Sequence, residues 1–527
     1  MKFSWDFPYA SQRMPLFAEN VVATSQPLAA QAGLNMLRKG GNAVDAALAA
    51  AIALTIVEPT SNGIGSDAFA MVWDGHRLHG LNGSGKSPQS WSFEQFSGQK
   101  SLPKLGWDVV TVPGAVDIWS TLSKRFGKLP FSALFEPAIH YAHDGFAVSP
   151  ITARRWSYAV ELYKDFPDFG SVFLPQGRAP RIGEVFRCPQ QARTLEEIAV
   201  TQGESFYRGE LAERIVAYAA SSGGYFSEHD LAEHRSEWVA PISTDYHGID
   251  LHEIPPNGQG LTALIALGLL RNLDIRNYAL DSADSIHLQI EVMKIAFAEA
   301  NRYIADPKNM EVDPYDLLDD DFLRQRARDI QMDTAGLPES SLPVDKGTVY
   351  LSTADQGGMM VSFIQSNYWG FGSGIVDPQT GISFQNRAYG FNLQKRHPNR
   401  IDGGKRPFHT IIPGFITHNN APLMSFGVMG GHMQPQGHVQ MVLRILDYGQ
   451  NTQAASDAPR WHVGSDHVVA LEKGHDKRIM DDLKHRGHPV TMDVPTSLFG
   501  GAQLIAKMDS GYCAASDHRK DGQAVGY

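Results

Sequence analysis

The hydrophobic and polar positions change rhythm several times along the chain. Residues 27–58 carry helical spacing, first from Leu28 to Leu34 and then through the alanine run after Asp45. The most apolar stretch, Ala46 to Val57, follows Gly40-Gly41-Asn42 and precedes Pro59. It is shorter than the roughly 20 residues a bilayer span requires, so it predicts a buried alanine-rich helix. Pro59, Asn62, Gly63, Gly65 and Ser66 make 59–67 a turn-rich loop. Ala68 to Trp73 reads as a strand, and Asp74-Gly75 as a hairpin signal. Residues 113–300 are mainly helical by pattern, as in Ala133 to Ala142 and Leu261 to Leu270. Ser285 to Tyr303 is amphipathic, with Ile286, Ile290, Val292, Ile295 and Ala296 as expected core positions.

The character changes at 330–347. Thr334 to Pro343 has no periodicity and is rich in turn formers, which predicts a linker. Directly after Gly347 the pattern becomes extended: Thr348 to Ala354, a turn at Asp355 to Gly358, then Met359 to Ser366. A three-residue loop at Gln356, Gly357 and Gly358 would pair Asp355 with Met359 and set Thr348 opposite Ser366. A two-residue loop would instead set Thr348 opposite Gln365.

Composition narrows the classes. The 527 residues are 43% hydrophobic and 20% charged, ordinary for a soluble globular protein with a sizeable core. A formal net charge of −11 argues against a nucleic-acid partner. Two cysteines, Cys188 and Cys513, make a disulfide scaffold implausible and read as buried small hydrophobes. The first residues, Met1 to Asp6, show no basic-then-apolar signal pattern, so the expected location is cytoplasmic.

A linker that ends in glycine and runs into a hairpin beginning with threonine suits one chemistry. A threonine hydroxyl alone is a poor nucleophile, but its own α-amine, with an unperturbed pKa of about 7.7–8.0, can serve as base. That amine exists only once the bond before Thr348 is cut. The hydroxyl can cut it by attacking the Gly347 carbonyl to form an ester that water hydrolyses, and glycine tolerates the twisted backbone this needs. The bland alternative is a β-branched residue opening a strand.

An ordered set of segments extends over nearly the whole chain. It comprises Gly40 to Ala47, Val112 to Val116, Pro137-Ala138-Ile139, Asp144-Gly145-Phe146, Phe206 to Gly209 and Asp230-Leu231-Ala232. It continues with Pro255-Pro256, Gly258 to Gly260, Phe371 to Ile375, Lys405-Arg406-Pro407, Gly430-Gly431, Asp457 to Arg460, Ala515-Ser516-Asp517 and Gly526-Tyr527. With these segments the chain resembles the γ-glutamyltranspeptidase (glutathione hydrolase) family. The resemblance implies an α+β fold, a four-layer αββα sandwich of the N-terminal nucleophile hydrolase type. It implies one precursor cut into a large subunit, 1–347, and a small catalytic subunit, 348–527, intertwined in one domain. It implies an amide hydrolase or acyltransferase acting on γ-glutamyl or related acyl amides, with an amino acid or peptide as possible acceptor, no cofactor and no membrane partner. By the same resemblance Thr348 falls on the nucleophile, Ser366 on a supporting hydroxyl, and Gly430 and Gly431 on the glycines whose N–H groups hold the oxyanion.

The departures from the family lie in its substrate pocket. Ser84 stands where the family holds the substrate α-carboxylate with arginine, and Lys86 nearby is a point charge rather than a fork. In the stretch Gln385-Asn386-Arg387-Ala388-Tyr389-Gly390, Arg387 replaces a glutamine and Gly390 stands at the acid that binds the α-amine. His409 and Thr410 replace paired serines, and Tyr368 replaces an asparagine, with Asn367 expected to face away. Loss of an acid and gain of an arginine would disfavour an α-ammonium, which suggests an acyl group with a carboxylate and no free amine, as in glutaryl or cephalosporin acylases.

Three other readings compete with this one. Gly80 to Ser87 matches the phosphate-binding pattern GxxxxGK[ST], but Pro88 to Ser92 is poor helix material where that motif needs a helix N-terminus. His432, His438, His462 and His467 cluster loosely without metal-ligand spacing, so no metal is expected. A non-catalytic relative is disfavoured by the retained Thr348, Ser366, Gly430 and Gly431.

Overall fold

A computed structural model of the chain describes Trp5, residues 12–337 and residues 347–527. Most of the expected linker, 338–346, lies outside the described residues, while Gly347 and Thr348 lie within them.

Alternation along the strands builds two seven-stranded sheets. The first contains, in chain order, β1 (Leu16–Ala18), β6 (Ile242–Tyr246), β7 (Ile249–Glu253), β10 (Gly414–His418), β11 (Ala421–Met429), β12 (Gly501–Lys507) and β13 (Tyr512–Ser516). The second contains β2 (Val21–Thr24), β3 (Asp67–Trp73), β4 (Leu78–Asn82), β5 (Glu237–Val239), β8 (Val349–Ala354), β9 (Met360–Ser366) and β14 (Gln523–Gly526). Their spatial orders are β1-β13-β12-β11-β10-β7-β6 and β14-β2-β8-β9-β3-β4-β5.

Period-two alternation assigns each strand two faces. In the second sheet Ala68, Ala70, Val72, Leu351, Val361 and Phe363 pack with helices α1 (Pro27–Arg38) and α2 (Ala43–Val57). Their neighbours Phe69, Met71, Tyr350 and Ile364 turn to the other side and meet Phe415, Met429, Ile505 and Tyr512 of the first sheet. The outer face of the first sheet is covered by α3 (Gly260–Leu270), α4 (Ala283–Tyr303) and α5 (Met433–Val442). The result is helix, sheet, sheet, helix: the αββα sandwich expected from the resemblance.

The alanine-rich segment is α2, and every residue of it is buried. Small side chains let it approach the sheet closely, and Asn42 and Asp45 close a capping box at its start. Two expectations need correction. The region 113–300 is mainly helical but is interrupted by β5, which takes an edge of the second sheet, and by the β6–β7 hairpin around His247-Gly248, in which β6 takes an edge of the first sheet and β7 lies between it and β10. Ile295 is only half-buried, because α4 rotates the remaining expected residues, Ile286, Ile290, Val292 and Ala296, into the core. Cys188 and Cys513 are both buried and unpaired with each other. Among the described residues no helix is long and apolar enough to cross a membrane.

Candidate active site

The β8–β9 hairpin has the three-residue loop. Asp355 N–H donates to the Met359 carbonyl at 3.1 Å, and Val349 pairs with Gln365. Thr348 therefore continues the ladder opposite Ser366, and Ser366 is in turn opposite Asp67 on β3. Directly opposed residues share a face, so Thr348, Ser366 and Asp67 form a polar row at the end of the inter-sheet core.

The row is organised around the bond before Thr348. The Gly347 carbonyl oxygen accepts from Thr348 Oγ at 2.6 Å and from Ser366 Oγ at 2.8 Å, and the two hydroxyls are 3.3 Å apart. Ser366 Oγ also accepts from the Tyr368 N–H at 2.8 Å. Gly347 has φ +126°, and a Cβ there would lie 2.6 Å from the Gly370 nitrogen, so glycine is required on both counts.

Across the row, the chain leaves β11 through Gly430 (φ +114°) and Gly431 (φ +58°) and enters α5 at His432 (φ −72°). A left-handed residue followed by a right-handed one turns successive N–H groups to one side, a backbone suited to an anion. Gln434, in the first turn of α5, brings its Nε2 to 3.5 Å from Thr348 Oγ while its Oε1 accepts from the Ile412 N–H. Gln259 secures the same turn: its Nε2 donates to the Gly431 carbonyl at 2.9 Å and to the Thr410 carbonyl, and its Oε1 pairs with His432 Nδ1 at 2.9 Å.

The substituted pocket positions fall into two groups. Arg387, His409, Thr410 and Tyr368 lie together and buried beside the row. Arg387 Nη1 donates to Thr410 Oγ at 2.7 Å, and its guanidinium lies 4.4 Å from the centre of the Tyr368 ring. His409 Nε2 is 3.1 Å from Asp67 Oδ2, with both side chains fully enclosed. Burial pushes the Asp67 carboxyl up to about 7, against the pull of Arg387, the N–H groups of Gly114 and Gly85, and Arg406. Burial, and then Arg387 and Arg406, hold His409 well below its ordinary value, so it is the neutral imidazole that donates to Asp67.

The other positions point elsewhere. Ser84 Oγ pairs with Asn82 and Asn257 behind the 407–410 loop, and Lys86 is half-buried on the adjacent loop. The Asn386 side chain is occupied by backbone groups, accepting from the Trp369 N–H at 3.1 Å and donating to the Lys104 carbonyl at 2.8 Å. Asn367 faces away from Thr348, as expected, toward Ser66 and Ser383. At Gly390 a Cβ would lie 2.5 Å from the Phe408 carbonyl oxygen, so backbone closes this position to a side chain.

Gly80 to Asn82 belong to β4 and 83–87 leave it as coil, and a Cβ at Gly85 would lie 1.5 Å from the Val112 carbonyl oxygen; no helix begins there to receive a phosphate. His438 pairs with Glu253 and His432 with Gln259, so the four histidines do not converge. A different trio does: His287, Glu291 and His488, all buried. The Lys294 ammonium already fills it, 2.9 Å from Glu291 Oε1 and 3.3 Å from His488 Nδ1, while His287 and His488 bond each other at 2.8 Å. A cation would have to displace that ammonium.

The γ-glutamyltranspeptidase family model matches residues 29–527. The chain belongs to the γ-glutamyltranspeptidase family. Members of this family are hydrolases and acyltransferases, and this chain has their N-terminal nucleophile hydrolase fold. Among curated relatives, the glutathione hydrolase-like YwrD proenzyme of Bacillus subtilis is 35% identical over 96% of this chain and 98% of its own length. The oxamate amidohydrolase proenzyme of Klebsiella pneumoniae is 34% identical over 95% and 97%. Among solved structures of the family, cephalosporin acylase from Bacillus halodurans superposes with a TM-score of 0.94 at 46% identity, covering 100% of this chain and 99% of that one.

Asp67, Gln259 and Gln434 were missed from sequence. Asp67 left a trace, a charge at an inward position of the apolar strand DAFAMVW. Gln259 lies in the Gly258 to Gly260 segment, but its role, like that of Gln434, has no local signal because it depends on contacts more than 80 residues away in sequence.

Proposed function

We propose that this chain cuts itself between Gly347 and Thr348 and then hydrolyses amides through an acyl-enzyme on Thr348. The observation that carries the reading is the Gly347 carbonyl held by two hydroxyls, one of them the nucleophile. Thr348 Oγ attacks the carbonyl carbon, the carbon–nitrogen bond breaks, and the hydroxyl proton ends on the departing nitrogen. Water hydrolyses the resulting ester, leaving a carboxylate at Gly347 and a free amine on Thr348. Residues 1–347 and 348–527 become the large and small subunits. In turnover the amine acts as base, the hydroxyl attacks the substrate carbonyl, and the N–H groups around Gly430 and Gly431 hold the oxyanion, a contribution of about 3–4 kcal/mol per donor in comparable sites. Water, or an amino acid or peptide, then takes the acyl group.

For the acyl group, the reading is a short carboxylate-bearing chain without an α-ammonium. Arg387 supplies a buried cation, the acid's place at Gly390 is closed, and His409 is neutral. An α-ammonium would meet a cation where family relatives offer an anion. Oxamate, the substrate in the Klebsiella relative's name, carries a carboxylate beside its amide and no ammonium, in keeping with this charge pattern.

Intact mass of purified wild type beside Thr348→Ala tests the first part: two fragments are expected for the wild type and one for the variant. An active uncut polypeptide would sink it. Hydrolysis of glutaryl-p-nitroanilide, oxamate and γ-glutamyl-p-nitroanilide tests the second; a strong preference for the γ-glutamyl compound would remove the acyl assignment.

A further inference from the structure

Two different groups face the two oxyanions this site must stabilise. The maturation carbonyl, Gly347, is held by the Ser366 hydroxyl at 2.8 Å. The turnover oxyanion, on the reading above, is held by the glycine turn. That turn belongs to the small subunit, yet its orientation is secured by a large-subunit side chain. Gln259 is fully buried, and all the polar capacity of its amide points at the turn or the loop beside it: the Gly431 carbonyl, the Thr410 carbonyl and His432 Nδ1. Its own backbone is fixed too, with its N–H donating to the His409 carbonyl and its carbonyl accepting from the Thr262 N–H at the start of α3.

We propose that Gln259 is a positioning residue for turnover alone: it holds the Gly430–His432 turn so that its N–H groups face the acyl carbonyl, and it plays no part in self-cleavage. The physical argument follows from planarity. Pinning the Gly431 oxygen fixes the plane of the Gly431–His432 peptide, which limits rotation about the Gly431 backbone and so the aim of the Gly431 N–H on the other side of that residue. Gln434 N–H donates to the same carbonyl at 3.1 Å, so without Gln259 one backbone bond still closes the helix turn. The turn would survive as α5's first turn but lose its lateral constraint. The two glycines, both at positive φ, provide little stiffness of their own. Thr410 shares the same donor, so Gln259 also couples the turn to the residue that touches Arg387.

The inference rests on the proposed roles of Thr348 and the glycines, and its test separates the two. Gln259→Glu keeps the length and the acceptor toward His432 but cannot donate to either carbonyl. Gln259→Leu removes both functions. Each variant is expected to mature to two fragments at the wild-type rate, followed by mass, because Ser366 serves that step. On whichever amide the wild type turns over fastest, kcat is expected to fall by about 100-fold with KM unchanged, the effect of misaiming an oxyanion donor. Equal kcat in Gln259→Leu and wild type would overturn the inference, and so would a loss of maturation matching the loss of turnover. Crystal structures of the mature wild type and Gln259→Leu give a readout independent of any substrate: a rotated Gly431–His432 peptide is expected, and an unmoved one overturns it. If wild type matures but turns over none of the amides tried, the acyl assignment fails while the peptide rotation still decides the role of Gln259.

Discussion

At Asp67 a carboxyl group is enclosed between a neutral imidazole, two backbone N–H groups and the fields of Arg387 and Arg406. Burial outweighs the attractions and raises it from its ordinary 3.8 to about 7. The sign of the consequence is fixed by linkage. Between these two values the folded protein binds the proton more readily than the unfolded chain. The associated stability is complete below about pH 4 and is lost as pH rises through 7. Asp67→Asn should lack this dependence. Its urea midpoint, relative to wild type, should therefore climb between pH 5 and pH 8, and a constant difference would show that Asp67 does not titrate there. The residue scale also explains which pocket positions could be read beforehand. Arg387, a charge change, and His409, a replaced serine, stand out in the sequence and do lie beside the row of Thr348, Ser366 and Asp67. Asn386 lies in the same candidate stretch as Arg387, but its amide is taken by backbone groups of two loops whose approach has no local signature.

The element that matters most is the β8–β9 hairpin. Its two alternatives, a two- or three-residue loop, differ by one residue of register, and that single residue decides whether Thr348 meets a hydroxyl or an amide. Asp355 Oδ1 accepts from the Gly357 N–H at 2.8 Å and from the Met359 N–H, which stabilises the longer loop, and Asp355 Oδ2 accepts from the Ala43 N–H at the start of α2. The turn is therefore anchored to the helix that packs beneath the strand. Deletion of Gly357 should break that anchor, move Thr348 away from Ser366 and leave the precursor uncut in an intact-mass measurement. Cleavage of the deletion variant at the wild-type rate would show that the Ser366 contact is dispensable.

At the scale of the whole molecule, the segment before the proposed cleavage site is tied to the C-terminal part of the chain by buried polar groups. Lys294 donates to Glu291, to the Gly336 carbonyl and to His488, while Glu291 accepts from the Gly336 N–H. His287 links His488 to the Gln331 carbonyl. Burial, then Lys294, His287 and Arg486, lower His488 from its ordinary 6.5 to about 3. A depressed histidine contributes stability that is complete above about pH 6.5 and lost as pH falls toward 3. The wild type should therefore lose urea resistance between pH 7 and pH 4.5, and His488→Gln, which cannot be protonated, should lose less over the same interval. Parallel losses in the two proteins would assign the acid sensitivity to other groups.

Local chemistry was enough to determine helices α1 to α4, strand β3, the hairpin carrying Thr348, and the ordered segments that carry the family resemblance. Each of these depends on periodicity or on a turn residue within a few positions. The outcome of the register choice, the closure of Gly390 by Phe408, the neutral state of His409 and the grip of Gln259 on the glycine turn were decided only when distant segments met. A burial cost, a blocked Cβ and a shared hydrogen-bond donor are properties of neighbours in space, and the order of residues along the chain does not contain them.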